Sequence, residues 1–475
     1  MANEKTDLND LLALLDNSVE YDKGTVRINA EQRLRETIHR LAEVSALETG
    51  SRQGIARYLT RLIALELGII PASIHDLYIA RGRGEIPPSF TVPAVNLRAL
   101  SFDAARAVFK AVLSMNAGTF IFEIARSEMG YTDQRPAEYV TNVLAAGIME
   151  GYTGPVFIQG DHFQISAKRF KSDPETELET VRKLTRDAIK AGFYNIDIDT
   201  STLVDLSKKT IDEQQSINTS LSAIFAAYIR SIEPKGVTVS VGGEIGEVGG
   251  QNSTEPELRA YLDGFNRELH KLAPGAVGLS KISIQTGTSH GGVVLPDGSI
   301  QDVSVDFDTL LHLSRIARRE YGLGGAVQHG ASTLPESAFG KFVESEAVEV
   351  HLATNFQTML YNRLPADLKR QMYAYLDEKH SADRKPDMSD DQFYYKTRKN
   401  AIGPFKRELW NLPEDKKAEI RQDWEEQFRK LFSLLGLRNT RIYTDQAVFP
   451  VAVKPEQKVY LGDAVTEGDV SDLAD

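Results

Sequence analysis

Three stretches share one plan: PVFIQGDH at 155–162, KISIQTGTSH at 281–290 and GAVQHG at 325–330. Each opens with an apolar, largely β-branched run and closes on a histidine beside glycine, serine or aspartate. Three of the nine histidines of the chain sit in this setting. Parallel strands that end this way converge at one mouth, where His162, His290 and His329 can hold a single metal ion. Five further runs have the same strand character: FTVPAVN at 90–96, GTFIFEIA at 118–125, YNIDIDTS at 194–201, VTVSVGGE at 237–244 and AVEVHLATN at 347–355.

Between these runs lie helical stretches with recognisable starts. Examples are SDPETELETVRKLTRDAIKAG at 172–192 and TEPELRAYLDGFNRELHKLA at 254–273, where Asp or Thr can cap and early acids suit the helix dipole. Continuous apolar strands separated by helices imply a parallel sheet covered on both faces. Eight such units predict an α/β fold, a (β/α)₈ TIM barrel. An open doubly wound sheet is the alternative, but no G-x-G-x-x-G follows the first strand.

The barrel is expected over residues 88–400, behind a helical N-terminal extension at 1–87 with no strand-like run. Additional C-terminal helices and an acidic tail are expected over 401–475. At 475 residues the chain can hold a barrel and smaller appendages. The net charge of −12 argues against an electrostatic nucleic-acid binder, while leaving room for a locally positive pocket. With no cysteine, any metal must be held by nitrogen and oxygen. No secretory signal or membrane-length apolar stretch is visible, so a cytoplasmic protein without a membrane partner is expected.

Active-site groups of a barrel gather at the C-terminal ends of its strands. Those ends carry Asn96, Ser127, Asp161 with His162, Asp199 with Ser201, Glu244, Ser289 with His290, His329, and His351 with Thr354 and Asn355. Apolar residues are expected inside each strand. Three imidazoles with an open position form a catalytic type of Zn²⁺ site, acting as a Lewis acid on a carbonyl oxygen. Asp161 adjoins a ligand, but neighbours on a regular strand point apart, which places it beside the substrate as proton donor and acceptor. Glu244 is a further metal ligand or a partner that orients an imidazole. Asp199 is favoured over Asp197 because it lies nearer the mouth. The loops GTSHGG and HGAST offer backbone N–H groups to an anion, with Gly291, Gly330 and Ser332 as candidates.

Taken in order, VPAVN at 92–96, GDH at 160–162, IDTS at 198–201, GGEIGEVGG at 242–250, GTSHGG at 287–292, HGAST at 329–333 and HLATN at 351–355 resemble the class II, metal-dependent fructose-bisphosphate aldolase family. The resemblance implies a zinc enzyme, or one using another divalent metal, that reversibly cleaves a ketose bisphosphate into dihydroxyacetone phosphate and an aldehyde. It implies His162, His290 and His329 as zinc ligands, Asp161 as the acid/base at the C4 hydroxyl, and Glu244 as a metal-associated carboxylate. Gly291, Gly330, Ser332 and Thr354 then surround the dihydroxyacetone phosphate moiety. Asn96, Ser127, Asp199, Ser201 and Asn355 belong to the substrate side, and Arg398 is the nearest match to an arginine for the far phosphate. A phosphorylated sugar as substrate and a homo-oligomer are expected on the same ground. The chain departs from the family in reading Gln251-Asn252 where a loop acid is usual, and His351 and Asn355 on its last strand. An aldolase-like protein acting on another phosphorylated ketose, or a non-catalytic aldolase-like subunit, are the alternative readings.

Overall fold

The computed structural model describes residues 2–246, 251–287, 305–331 and 334–461. All eight expected strands are present: β1 Val92–Asn96, β2 Ile121–Ala125, β3 Gly154–Gln164, β4 Asn195–Asp199, β5 Ser240–Glu244, β6 Lys281–Ile284, β7 Ala326–Gln328 and β8 Glu349–Leu352. They pair in parallel in chain order, and β8 closes on β1 through Glu349 opposite Val92 and Leu352 opposite Val95. The result is a (β/α)₈ barrel with extra helices. Every residue of β1, β2, β4 and β5 is buried, as helices outside and packed side chains inside require. Asp173 caps its helix as read, accepting from the Thr176 N–H at 3.2 Å; at the other start Glu257, rather than the Thr254 side chain, does the capping, accepting from the Thr254 N–H at 2.7 Å.

The N-terminal 87 residues are not purely helical, which corrects the sequence reading. Val19–Asp22 and Thr25–Ile28 form an antiparallel hairpin turning at Lys23-Gly24. Its strands, VEYD and TVRI, alternate apolar and polar residues about the turn, a period-two signal too short to stand out from the surrounding helical pattern. Ile69–Ala72 is a ninth parallel strand, pairing with Gly154–Phe157 of β3. It is only four residues long, and its apolar run continues that of the preceding helix, Gly50–Glu66. β3, at 11 residues, is thus flanked by Ile69–Ala72 on its first half and by β4 on its second.

After this strand, helix His75–Gly82 seals the N-terminal end of the barrel. Ile74, Leu77 and Tyr78 pack in one cluster with Val92, Ile121, Phe157, Val327 and Val348. The C-terminal segment is mostly helical, with an irregular stretch at 448–456: Glu414–Leu434 packs on Ser101–Met115, and Trp424 donates to the Phe356 carbonyl at 3.1 Å. The acidic tail beyond residue 461 lies outside the described residues. No helix among the described residues is long and apolar enough to cross a membrane.

One detail of β3 positions the site. Gly160 pairs with Ile196 but Phe163 with Ile198, so β3 carries one extra residue there, a β-bulge. His162 adopts a left-handed φ of 39°, and the bulge turns Asp161 and His162 toward the same mouth. The expectation that these neighbours point apart holds for a regular strand and fails at a bulge.

His75, the first residue of the sealing helix, is buried, and burial together with Arg230 and Arg83 depresses its imidazole to about 4. A base whose folded-state pKa lies below its unfolded value of 6.5 favours folding above that value, and the contribution is lost as pH falls from 6.5 toward 4. The loss amounts to about 3 kcal/mol. Denaturant titrations at pH 7.5 and pH 4.5 should show a smaller difference for His75→Gln than for the native chain; equal differences would overturn this assignment.

Candidate active site

A cleft of about 900 Å³ opens at the C-terminal end of the barrel, its floor formed by Glu123, Asp161, His162, His329 and His351. The rings of His162 and His329 lie 4.4 Å apart, and those of His329 and His351 4.0 Å apart. Ligand atoms of Asp161, His162 and His329 all fall within 4.8 Å of one another. His290, the third imidazole of the sequence reading, lies outside the described residues, as do Gly291 and Ser332.

His162 Nδ1 meets Asp199 Oδ2 at 3.0 Å and Glu244 Oε2 at 3.1 Å, and Nε2 lies 3.8 Å from Asp161 Oδ1. Asp199 is fixed by the Ser201 hydroxyl at 2.6 Å, the Ser201 N–H at 3.0 Å and the Gln164 amide. Ser201 therefore serves Asp199. Glu244 and Asp199 orient an imidazole from behind, an arrangement that commonly supports metal-binding histidines. His329 Nε2 is tied to Ser283 Oγ at 2.9 Å.

Burial works against charge on His162, yet Asp161 and Glu244 raise its pKa well above the ordinary value. Burial likewise opposes charge on Asp161, but His162 and His351 hold its carboxyl well below the usual carboxylate range. Burial pushes Glu244 up to about 7. The acids thus favour a positive charge where the imidazoles meet, and a divalent cation satisfies that demand. Nitrogen and oxygen donors of this kind suit Zn²⁺ and its neighbours in the first transition row.

Beneath the floor lies a buried charged network that the sequence reading placed as apolar strand interior. Lys281 Nζ donates to Glu349 Oε1 at 2.6 Å, Gln159 Oε1 at 2.7 Å and Asp197 Oδ2 at 2.9 Å. Gln159 Nε2 donates to Glu349 Oε1 at 2.8 Å and Glu123 Oε2 at 3.2 Å, and Tyr78 donates to the other oxygen of Glu349. Burial raises Glu123 to about 8 and Asp197 to about 6, whereas Lys281 and His351 overcome burial to hold Glu349 near 2. A signal existed: each is a single charge set inside an apolar run, as in FIFEIA, KISI and AVEVHL.

Of the other candidates, Asn96, Ser127, Gly330, Thr354 and Arg398 line the cleft. Asn96 donates to Glu128, which is also bound by Arg98 at 2.8 Å. Arg126, which the sequence reading passed over, lines the cleft and is clamped by Glu177. Arg398 is buried, donates to Thr358 Oγ1 at 2.7 Å and stacks 4.2 Å from the Tyr395 ring. Lys385, Lys396 and Lys399 extend this positive rim. Asn355 instead lines a neighbouring cavity of about 400 Å³ with Phe339, Met359 and Leu431.

Residues 88–408 match the family model described as fructose-bisphosphate aldolase class-II. The chain belongs to that family. No curated protein matches it by sequence. Among solved structures, the fructuronate-tagaturonate epimerase of Cohnella laeviribosi is 14% identical, with a TM-score of 0.50 over 89% of this chain and 90% of that one. The fructose-bisphosphate aldolase of Campylobacter jejuni is 16% identical, with a TM-score of 0.45 over 78% of this chain and 97% of that one. An aldolase of Escherichia coli K12 is 11% identical, with a TM-score of 0.46 over 77% and 98%. At 14% identity the likeness to the epimerase speaks to the fold alone. Family membership and the His/Asp cluster agree with a metal-dependent site; neither identifies the metal.

The network makes a quantitative demand. Lys281→Met leaves Asp197 and Glu349 buried without their counter-charge and should cost about 3–5 kcal/mol of stability. Guanidinium unfolding of the two proteins measures it, and a loss below about 1 kcal/mol would show the network to be dispensable.

Proposed function

We propose that the chain is a zinc-dependent aldolase that reversibly cleaves a ketose bisphosphate into dihydroxyacetone phosphate and an aldehyde. Fructose 1,6-bisphosphate is the first substrate to test, with glyceraldehyde 3-phosphate as the aldehyde. The observation that carries the reading is the meeting of Asp161, His162 and His329 on the floor of one cleft. A metal bound by His162 and His329, with His290 as the third ligand expected from the sequence, would polarise the substrate carbonyl and stabilise negative charge beside it.

The residues of the chain supply the remainder. Asp161 takes the proton of the C4 hydroxyl as the carbon–carbon bond opens and returns it in the reverse direction. Asp199 and Glu244 hold the His162 ring through Nδ1. Arg398, stacked on Tyr395, receives the phosphate far from the reacting bond, and Lys385, Lys396 and Lys399 draw the anion into an otherwise acidic protein. Asn96, Ser127, Thr354 and Gly330 line the path between.

Zinc-loaded protein offered a panel of ketose mono- and bisphosphates should release dihydroxyacetone phosphate, and exhaustive chelation should abolish the release. Asp161→Ala should keep its metal and lose about 10²–10⁴-fold in turnover. Turnover that survives complete metal removal sinks the proposal, as does a metal-replete protein inert toward the whole panel.

A further inference from the structure

His351 lies at the C-terminal end of β8, where it joins the network below the floor to the group at its surface. Its Nε2 is 2.7 Å from Glu349 Oε1, and its Nδ1 is 3.3 Å from Asp161 Oδ1 and 3.0 Å from Glu123 Oε2. The ring is 5% exposed, as is Asp161, and Glu123 is 1% exposed. Glu349 is itself held by Lys281, Gln159 and Tyr78. A carboxylate fixed by three donors therefore sets the orientation of an imidazole, whose opposite nitrogen lies between the carboxyl groups of Glu123 and Asp161.

We propose that His351 is a positioning residue: braced by Glu349, it holds the Asp161 carboxylate in the orientation in which it exchanges a proton with the substrate. Three features support this role. The Asp161 Oδ1 atom is buried, and of the two imidazole nitrogens paired with it His351 Nδ1 is the nearer, at 3.3 Å against 3.8 Å for His162 Nε2. Asp161 stands on the β3 bulge, which turns its side chain out of the regular strand direction and toward His351. The alternative task for His351, neutralising Asp197 and Glu349, is already done by Lys281, which bonds both; Asp197 is 3.9 Å from the imidazole. Proton transfer needs heavy atoms within hydrogen-bonding reach and correctly aligned, so a carboxylate released by about 1 Å loses much of its effect.

This proposal rests on Asp161 being the acid/base, and the experiment separates the two ideas. His351→Ala, His351→Asn, Asp161→Asn and the double variant Asp161→Asn/His351→Ala are purified metal-loaded and checked for fold by circular dichroism and for metal content. H351A should lower kcat for ketose phosphate cleavage about 10- to 100-fold with KM within about twofold and metal content unchanged. H351N, whose amide N–H can take the place of Nδ1, should recover part of the loss. In the D161N background H351A should cost nothing further, because the residue acts through Asp161. Additive losses, or a loss confined to KM or to metal content, overturn the positioning role and leave the acid/base reading standing. Full turnover by D161N overturns the acid/base reading instead. A crystal structure of H351A decides the geometry even without turnover: Asp161 in its native orientation refutes the positioning role, and a displaced carboxylate supports it.

Discussion

The barrel is organised around one buried ammonium. Lys281 on β6 has three N–H donors, and each finds an acceptor: Gln159 on β3, Asp197 on β4 and Glu349 on β8. Four strands that are not all neighbours are thereby tied across the interior rather than along the sheet. A charge at this depth is tolerable only when fully satisfied, and its partners would repel one another without it. The geometry at the mouth follows, since Glu349 fixes His351, and Tyr78 brings the sealing helix into contact with the same carboxylate.

Much of the architecture could be read from the sequence because parallel strands buried on both faces must be continuously apolar. The barrel strands carried that mark over most of their length, NIDID of β4 least, and ended at or beside polar residues, so the order of elements and the place of the mouth were legible. The hairpin at Val19–Ile28 carried no such mark, since VEYD and TVRI mix charges with single apolar residues. The strand Ile69–Ala72 was hidden by the apolar helix running into it. Strand interiors misled in the opposite direction: Glu123, Lys281 and Glu349 each sit amid apolar neighbours, and one-dimensional pattern does not reveal that they converge on each other.

Within the site, His162, Asp161 and His329 were readable as a converging set, but their relation was not. Period-two alternation separates adjacent residues, and only the bulge with its left-handed His162 brings both side chains to one side. Asp199 and Ser201 were read as facing substrate; in the fold they form a brace behind His162. Asn355, one residue past Thr354 where the helix Thr354–Arg363 begins, lines the neighbouring cavity, which shares Thr354 and Tyr395 with the cleft. Local conformation at single residues, not composition, decides these cases.

The long third strand has a consequence for where this molecule can be divided. Its first half borders Ile69–Ala72, and its second half carries Asp161 and His162. A chain cut at residue 88, where the family match begins, would strip that border and leave a row of backbone N–H and C=O groups open on a parallel sheet. Such an edge invites another strand, so the excised barrel would be a template for self-association. The N-terminal segment is thus part of what keeps this strand from pairing with another molecule.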